Sequence, residues 1–355
     1  MKRLSLMISG LLVMAALVLY LVPQNRVDIA VGETMVRDDV VPAPAVWQSD
    51  QTVDKTEERH LLKPALQRVA VQYRHQNRWP EYSLPLSDSQ TELIYPNQGA
   101  AIQHSLQPLG LDGELRIDME HYRYRQGDQI SVQVSLFGSR DLFAQTSQLQ
   151  LTVTDRKKQA IQSLTAERTD HQSAQQWQAE FDARDSWPQE LLINAVLTFI
   201  DGQQLSYSAP FEVFDAVAEI KSVEQYYVSD NELIIPVKVV DAESGYYKLA
   251  ATLFTSGNHP VAFLQGKNKL SSQGIIELKV HGSLLASLNS RQDLILKSLQ
   301  LRRIPAKPGD GKIGWGISRQ PSFVIQDVDP ARFDDQPFQS AQLNARAEFL
   351  ETLGQ

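Results

Sequence analysis

The chain has 355 residues, of which 42% are apolar and 21% charged, and its formal net charge is −8. This length accommodates two or three domains of about 100–150 residues, and the acidic balance argues against a broad nucleic-acid surface, which needs clustered Lys and Arg. Cysteine is absent, which excludes disulfides, thiol nucleophiles and Cys-ligated metal centres. The 5 Trp, 11 Tyr and 12 Phe indicate a folded protein and not a mostly disordered one.

The N-terminus carries the strongest location signal. Lys2 and Arg3 precede an uncharged, mostly apolar run over residues 4–22, and a helix of that length spans about 28 Å, close to the ~30 Å hydrocarbon core of a bilayer. Because positive flanks stay on the cytoplasmic side, we expect a single-pass inner-membrane protein with the bulk of the chain periplasmic, and residues 1–23 as cytoplasmic tip and anchor. The alternatives are a cleaved signal peptide, giving a secreted or periplasmic protein, and a buried core helix. Cleavage is disfavoured because no small-x-small site follows Leu21.

Residues 24–63 are polar and rich in Asp, Glu and Pro, which predicts a spacer between membrane and domains. Pro64 is suited to the first position of a short helix. The Pro-interrupted stretch from Trp79 to Leu86 is predicted to be extended. We expect the whole segment 64–110 to pack on the first domain.

From residue 111 apolar and polar residues alternate with period two, as in Ile130-Ser131-Val132-Gln133-Val134, which is typical of strands buried on one face. Asp201-Gly202 between two such runs predicts a hairpin. The pattern ends near residue 215 and restarts over 216–328, where Pro236 predicts an edge or bulged position. The fold class is therefore all-β, with two tandem antiparallel Ig-like β-sandwiches, and the tail over 329–355 contains a short helix from Ser340 to Leu353.

The segment 224–301, with Tyr226-Tyr227-Val228-Ser229-Asp230-Asn231 and Ser244-Gly245-Tyr246-Tyr247-Lys248-Leu249, resembles Ig-like modules of gammaproteobacterial exported proteins that form a domain family of unknown function. The segment 117–213 is similar to Ig-like domains that accompany von Willebrand factor A-type domains. The resemblance covers about two thirds of the chain. It implies a sandwich fold outside the cytoplasm, and it assigns no catalytic residue.

Four aspartates after the last predicted strand, Asp327, Asp329, Asp334 and Asp335, are the one candidate for a Ca²⁺ site, because hard carboxylate oxygens suit that ion. Their spacing fits no EF-hand loop, so a solvated acidic segment is the competing interpretation. The seven His residues show no spacing suited to a shared metal. No cofactor is predicted.

The Gly-rich stretch 307–316 lacks the residue order of a phosphate-binding loop. It is interpreted as a long strand connection, and the alternative is that Trp315, flanked by glycines, is an exposed aromatic that stacks on a sugar or a partner. Together with Trp79 and Trp187, Trp315 is a candidate for contact with a sugar or a protein partner.

The sequence contains no Gly-x-Ser-x-Gly nucleophile motif and no His-Glu-x-x-His motif, so an enzyme is not predicted. The leading hypothesis is a membrane-anchored binding or scaffolding protein with a protein partner in the cell envelope. The alternative is a carbohydrate- or peptidoglycan-binding module, for which the tryptophans would have to be exposed. The sequence leaves the oligomeric state and the partner open.

Overall fold

The computed structural model describes residues 67–73, 77–99, 101–107, 110–170, 174–307 and 313–353. The predicted anchor over residues 4–22 and the spacer over 24–63 lie outside the described residues. Within the described ranges, no helix is long and apolar enough to cross a membrane. This part of the chain is mostly β-sheet, as predicted, and its strands form three sheets. It begins with helical residues 67–73 (α1), followed by the strand β1 (Ser83–Pro85) and the helix α2 (Thr91–Ile94).

The first layered region spans residues 102–214 and contains two five-stranded sheets, ordered β2-β3-β5-β9-β8 and β4-β11-β10-β6-β7. Its strands are β2 (Ile102–Ser105), β3 (Gly113–Met119), β4 (Arg123–Arg125), β5 (Gln129–Gly138), β6 (Thr146–Asp155), β7 (Ala160–Leu164), β8 (Glu167–Asp170), β9 (Ala174–Asp182), β10 (Glu190–Phe199) and β11 (Gln204–Phe214), with the helix α3 (Arg140–Gln145) between β5 and β6.

The two sheets share one hydrophobic core because each strand alternates buried and solvent-facing residues. Val132 and Val134 of β5 enter this core from one sheet, and Ile193 and Leu197 of β10 enter it from the other. The alternation read from the sequence therefore identifies the inward-facing residues of this region.

The second region is not the two-sheet sandwich that the sequence predicted but a single eight-stranded sheet with its own core. Besides β1 it contains β12 (Ala216–Val223), β13 (Tyr227–Ser229), β14 (Glu232–Thr255), β15 (Pro260–His281), β16 (Gln292–Ile304), β17 (Gly314–Ser318) and β18 (Ser322–Val328), with the helix α4 (Gly282–Leu285) after β15. A 3₁₀ turn (Pro330–Arg332) and the helix α5 (Ala341–Leu353) follow. The predicted tail helix thus agrees with α5 to within one residue.

Where the sequence predicted several short strands between residues 232 and 281, the structure has two long strands, β14 with 24 residues and β15 with 22 residues. The pair stays hydrogen-bonded but bends at register shifts, where Asp241 and Ser272 have φ of 51° and 95°. The bend brings the two halves of β15 together, so a Cβ at Gly266 would lie 2.3 Å from the Glu277 carbonyl oxygen. Only glycine fits this close approach.

The sequence predicted Pro236 at an edge or bulged position, but it lies in an interior strand at a place without a register shift. It pairs with Glu277 of β15 on one side, and its carbonyl accepts a hydrogen bond from the Glu224 N–H on the other. In a strand the nitrogen and carbonyl of one residue point the same way. The nitrogen of Pro236, which carries no hydrogen, therefore faces the connection between β12 and β13, where no regular strand pairing requires a backbone donor.

The sheets are not purely antiparallel, which corrects a second expectation. β4 runs parallel to β11, and β12 runs parallel to β17. A parallel neighbour requires a crossover and not a hairpin. Here β4 follows β3, which belongs to the opposite sheet, so the chain crosses between layers before it pairs.

The segment predicted to pack on the first region instead divides between the two. Ser83–Pro85 pairs with β15 of the second region, and Trp79 packs on the second core. Ile102–Ser105 joins the first region as β2. The Ser83 side chain explains part of this placement, because it is buried and its Oγ accepts a hydrogen bond from the His281 N–H at 2.9 Å.

Candidate functional site

The junction between the two regions holds a group of interacting charged and aromatic side chains around Arg123. Arg123 begins β4, a three-residue strand that is fixed by the buried side chain of the next residue, Tyr124. The Tyr124 hydroxyl accepts a hydrogen bond from the His121 N–H at 3.0 Å. Because neighbouring residues of a strand point to opposite faces, burial of Tyr124 directs Arg123 outward, toward the second region.

The backbone of Arg123 is clamped by a single side chain. Asn97 Oδ1 accepts from the Arg123 N–H at 2.7 Å, and Asn97 Nδ2 donates to the Arg123 carbonyl at 2.9 Å. The guanidinium then donates to the Pro96 carbonyl at 3.0 Å. These three bonds position the arginine from the segment that precedes the first region.

The Arg123 guanidinium lies over the indole of Trp315 in β17, with Cζ 4.1 Å from the ring centroid. This is the geometry of a cation–π contact, worth about 0.5–2 kcal/mol depending on burial. The same guanidinium lies 3.5 Å from Gln300 Oε1 of β16. Arg123 therefore joins the first region to two strands of the second.

Glu212 of β11 completes the cluster as the register partner of Arg123. Burial raises the pKa of Glu212, and the Arg123 cation counteracts part of that effect. The Trp315 indole N–H also favours the carboxylate, although neither Trp315 Nε1 nor Glu212 Oε2, both buried, reaches a hydrogen bond of standard geometry. Burial likewise lowers the pKa of Arg123, and the Glu212 charge opposes the change.

The connection between the two regions is very short. β11 ends at Phe214 and β12 begins at Ala216, so Asp215 alone separates them. Gln189 Nε2 adds a second contact, 3.5 Å from the Ile313 carbonyl oxygen. A one-residue connection with side-chain contacts beside it holds the two regions in a fixed relation, unlike a flexible linker.

An open cleft of about 820 Å³ lies beside this cluster, with walls from both regions. Besides Arg123 and Trp315 it is lined by Arg125, Arg319 and His121. Arg319 is paired with Glu219 at 2.7 Å, whereas the Arg125 side chain is exposed. A surface that combines guanidinium groups with an indole is suited to binding carboxylates and planar groups.

The structure separates the three candidate tryptophans. Trp187 is only 8% exposed and packs in the first core, with its ring 6.0 Å from that of Phe181, so the expectation that it is an exposed contact residue is wrong. Trp79 is half-buried against the second core, and the Arg78 guanidinium lies 5.7 Å from its ring. Trp315 is half-buried at the junction, and Arg123 covers one of its faces.

The four candidate aspartates are not brought together. Asp327 forms a bidentate ion pair with Arg291, and Asp335 pairs with Arg78 at 2.7 Å. Asp329 caps the 3₁₀ turn by accepting from the Ala331 N–H at 3.0 Å. The backbone N–H of Asp334 donates to Asn231 Oδ1 at 2.8 Å. Throughout the described ranges, no group of three His, Asp or Glu side chains is arranged to hold a metal ion.

Arg123 was not among the residues that the sequence singled out as functional. The run Tyr122-Arg123-Tyr124-Arg125 alternates aromatic and basic residues, and this alternation is the available signal. Arg123 meets Trp315 only through a contact between distant parts of the chain, which periodicity does not show.

No family model matches the chain, and no curated protein matches it. Among solved structures it is similar to a DUF4785 family protein from Legionella pneumophila, with 16% identity over 62% of this chain and 57% of that chain and a TM-score of 0.42. It is also similar to α-2-macroglobulin from Escherichia coli, with 12% identity over 69% of this chain and 17% of that chain (TM-score 0.23). A third likeness is to the adhesin InvE from Yersinia pseudotuberculosis, with 11% identity over 57% of this chain and 58% of that chain (TM-score 0.21). The chain spans 57% of the length of the Legionella protein, and at these TM-scores the likenesses carry no argument about fold or function.

Proposed function

We propose that this protein is a binding or scaffolding protein of the cell envelope that presents an Ig-like sandwich and a second β-sheet region, fixed relative to each other, to another exported protein. In this proposal residues 4–22 anchor it in the inner membrane and residues 24–63 extend the two regions into the periplasm. The observation that carries the proposal is the junction. Arg123, Trp315 and the single-residue connection hold the regions in one arrangement, beside an open cleft lined by both.

A fixed junction favours a binding role because preorganised surfaces lose little conformational entropy when a partner docks. Arg and Trp are also enriched among the residues that dominate binding energy at protein interfaces. The carbohydrate-binding alternative is less favoured, because Trp187 is buried and one face of Trp315 is already covered by Arg123. A sugar that stacks on that face would have to displace the guanidinium.

The test uses a photo-crosslinking amino acid in the full-length protein in its native membrane. Gln320, which lines the cleft, is the probe position, and Gln203, exposed in the turn between β10 and β11, is the matched control. We expect one discrete crosslinked envelope protein from position 320, none from 203, and loss of that product when Trp315→Ala is added. Equal products from both positions, or a product that survives Trp315→Ala, would contradict a partner site at the cleft.

A further inference from the structure

We propose that a row of cations on the outer face of the second region, formed by Lys267, Lys248 and Arg302 and called here the cation track, binds an extended acidic segment of the partner protein and directs it toward Trp315. This inference rests on the proposed binding function, because it specifies the chemistry of the partner. The track ends beside Trp315, which lines the cleft described above.

The strand register places the three cations side by side. Lys248 of β14 is the direct partner of Lys267 in β15 and of Arg302 in β16. Arg302 is in turn the direct partner of Trp315 in β17. Direct partners project from the same face, and strands lie about 4.8 Å apart, so the row extends about 14 Å across four strands and ends at the Arg123–Trp315 contact.

This arrangement has an energetic cost in the unbound protein. Like charges directly opposite each other on neighbouring strands are destabilising. Within the described part of the chain, none of the three side chains makes an ion pair, whereas the neighbouring cations Lys279 and Arg303 are paired with Glu232 and Glu243.

The electrostatic environment of Lys248 reflects this cost. Burial lowers its pKa, and Arg302 and Lys267 lower it further. Glu81 is the one carboxylate that counteracts the shift, as the smallest of the four contributions. An incoming carboxylate would relieve the repulsion, so ligand binding recovers free energy that the free protein lacks.

The shape of the surface favours a polypeptide over a lipid bilayer. Lys248 and Lys267 line a depression of about 870 Å³, which a flat membrane surface cannot enter. Glu81 and Glu277 also line it, but Glu277 accepts a hydrogen bond from the Tyr227 hydroxyl at 2.9 Å.

The next row along the same face is Lys269, Tyr246 and Ile304. Tyr246 is 59% and Ile304 43% exposed, so the track is bordered by apolar surface that side chains of a peptide can cover.

The spacing also suits an extended chain. Same-side residues of an extended peptide recur about every 6.7 Å, and the backbones of Lys267 and Arg302 are about 10 Å apart. Two or three alternate glutamates can therefore reach the three cations, since long Lys and Arg side chains absorb the difference. The intervening side chains of such a peptide project to its other side, where Tyr246 and Ile304 border the track.

The experiment measures binding of a fluorescein-labelled peptide of alternating glutamate and leucine to the detergent-solubilised full-length protein, by fluorescence anisotropy. The test variant is Lys248→Gln with Lys267→Gln. The matched control is Lys157→Gln with Lys221→Gln, which removes the same charge at two exposed lysines away from the track. A peptide in which glutamine replaces glutamate controls for charge, and vesicles containing phosphatidylglycerol test a lipid surface.

We expect the test variant to weaken peptide binding at least about tenfold, a change of about 1.4 kcal/mol, while the control variant stays within about twofold. Binding should also weaken between about 0.05 and 0.3 M salt, because exposed charges are screened over that range. The free energy of unfolding of the test variant should stay the same or rise, since repulsion is removed. A purely structural role for the lysine stems would instead lower it.

Three binding results would overturn the cation track: equal binding by wild type and test variant, equal binding of the glutamine peptide, or vesicle binding that depends on the same lysines. Self-association of the protein alone at low salt, measured by sedimentation, would be a fourth, because the occupant would then be a second copy of this chain. Failure of the track is distinguishable from failure of the proposed function, because the crosslink from position 320 tests the cleft without reference to acidic peptides.

Discussion

Replacing Arg123 by methionine tests whether the junction holds the two regions together. The change keeps an unbranched side chain but removes the charge over Trp315 and the donor to the Pro96 carbonyl. Loss of a partly buried cation–π contact costs about 1–2 kcal/mol, and loss of the hydrogen bond about 1 kcal/mol more. Glu212 also loses the cation that favours its charged form. We therefore expect the free energy of unfolding to fall by about 2–4 kcal/mol.

The assay is urea unfolding of the full-length protein followed by tryptophan fluorescence, in a double-mutant cycle with Trp315→Leu. The coupling energy between positions 123 and 315 should be about 1–2 kcal/mol. Arg125→Met, an exposed arginine on the same strand, should change stability by less than about 0.5 kcal/mol. Loss of the contact should also separate the unfolding of the two regions into two transitions. A coupling energy near zero, with one cooperative transition in Arg123→Met, would refute the assignment of Arg123 as the joining residue.

Three other changes test the fold within the two regions. The hydroxyl of the fully buried Tyr247 lies 2.8 Å from the Glu243 carbonyl oxygen and 3.0 Å from the Val217 carbonyl oxygen. Tyr247→Phe should therefore lower the free energy of unfolding in urea by about 1–3 kcal/mol. Tyr246→Phe, at the exposed neighbour, should lower it by less than about 0.5 kcal/mol. Trp187→Ala should cost about 3–5 kcal/mol by opening a cavity in the first core, and a loss below about 1 kcal/mol would contradict its buried position. Burial lowers the pKa of His281 in the folded protein, and the Glu232 charge opposes part of this shift. The neutral form of His281 therefore contributes its full stabilisation above about pH 6.5, the pKa of histidine in the unfolded chain. This stabilisation is lost as the pH falls from about 6.5 toward the lower pKa of the folded state. Unfolding free energies between about pH 7.5 and 5.5 should show a smaller loss in His281→Asn than in wild type or in the exposed-site variant His121→Asn. Part of the loss remains in His281→Asn because burial also lowers the pKa of His104. An unchanged pH dependence in His281→Asn would contradict the assignment.

The sequence predicted several strands of the first region because periodicity two is a local property. The alternation over Ile130–Leu136 corresponds to β5, and Asp201-Gly202 forms the predicted hairpin turn, with Gly202 at φ of 85°. Where local chemistry determines the backbone, the pattern is sufficient.

Long-range geometry accounts for what the sequence did not predict. The bends of β14 and β15 occur at Asp241 and Ser272, which are ordinary polar residues in the sequence, so the pattern predicts a break between strands where the structure keeps pairing. Trp187 lies between Ser186 and Pro188, a setting typical of an exposed turn, and only packing on Phe181 reveals that it is buried. The position of Arg123 beside Trp315 likewise depends on two parallel pairings, which periodicity does not specify.

The position of the cation track is determined by the hydrophobic core beneath it, although the three neighbouring cations repel one another. One register step from Lys267, Lys248 and Arg302, the inward row consists of Gly266, Leu249 and Leu301, and both leucines are buried. Each buried leucine contributes about 1.5–3 kcal/mol, whereas a cross-strand charge pair changes stability by about 0.2–1 kcal/mol. A slip of β14 by one residue would move Lys248 away from both cations only by exposing Leu249 and burying Lys248. Hydrophobic burial therefore fixes the register, and the register holds the cations in a row where a ligand can reach them.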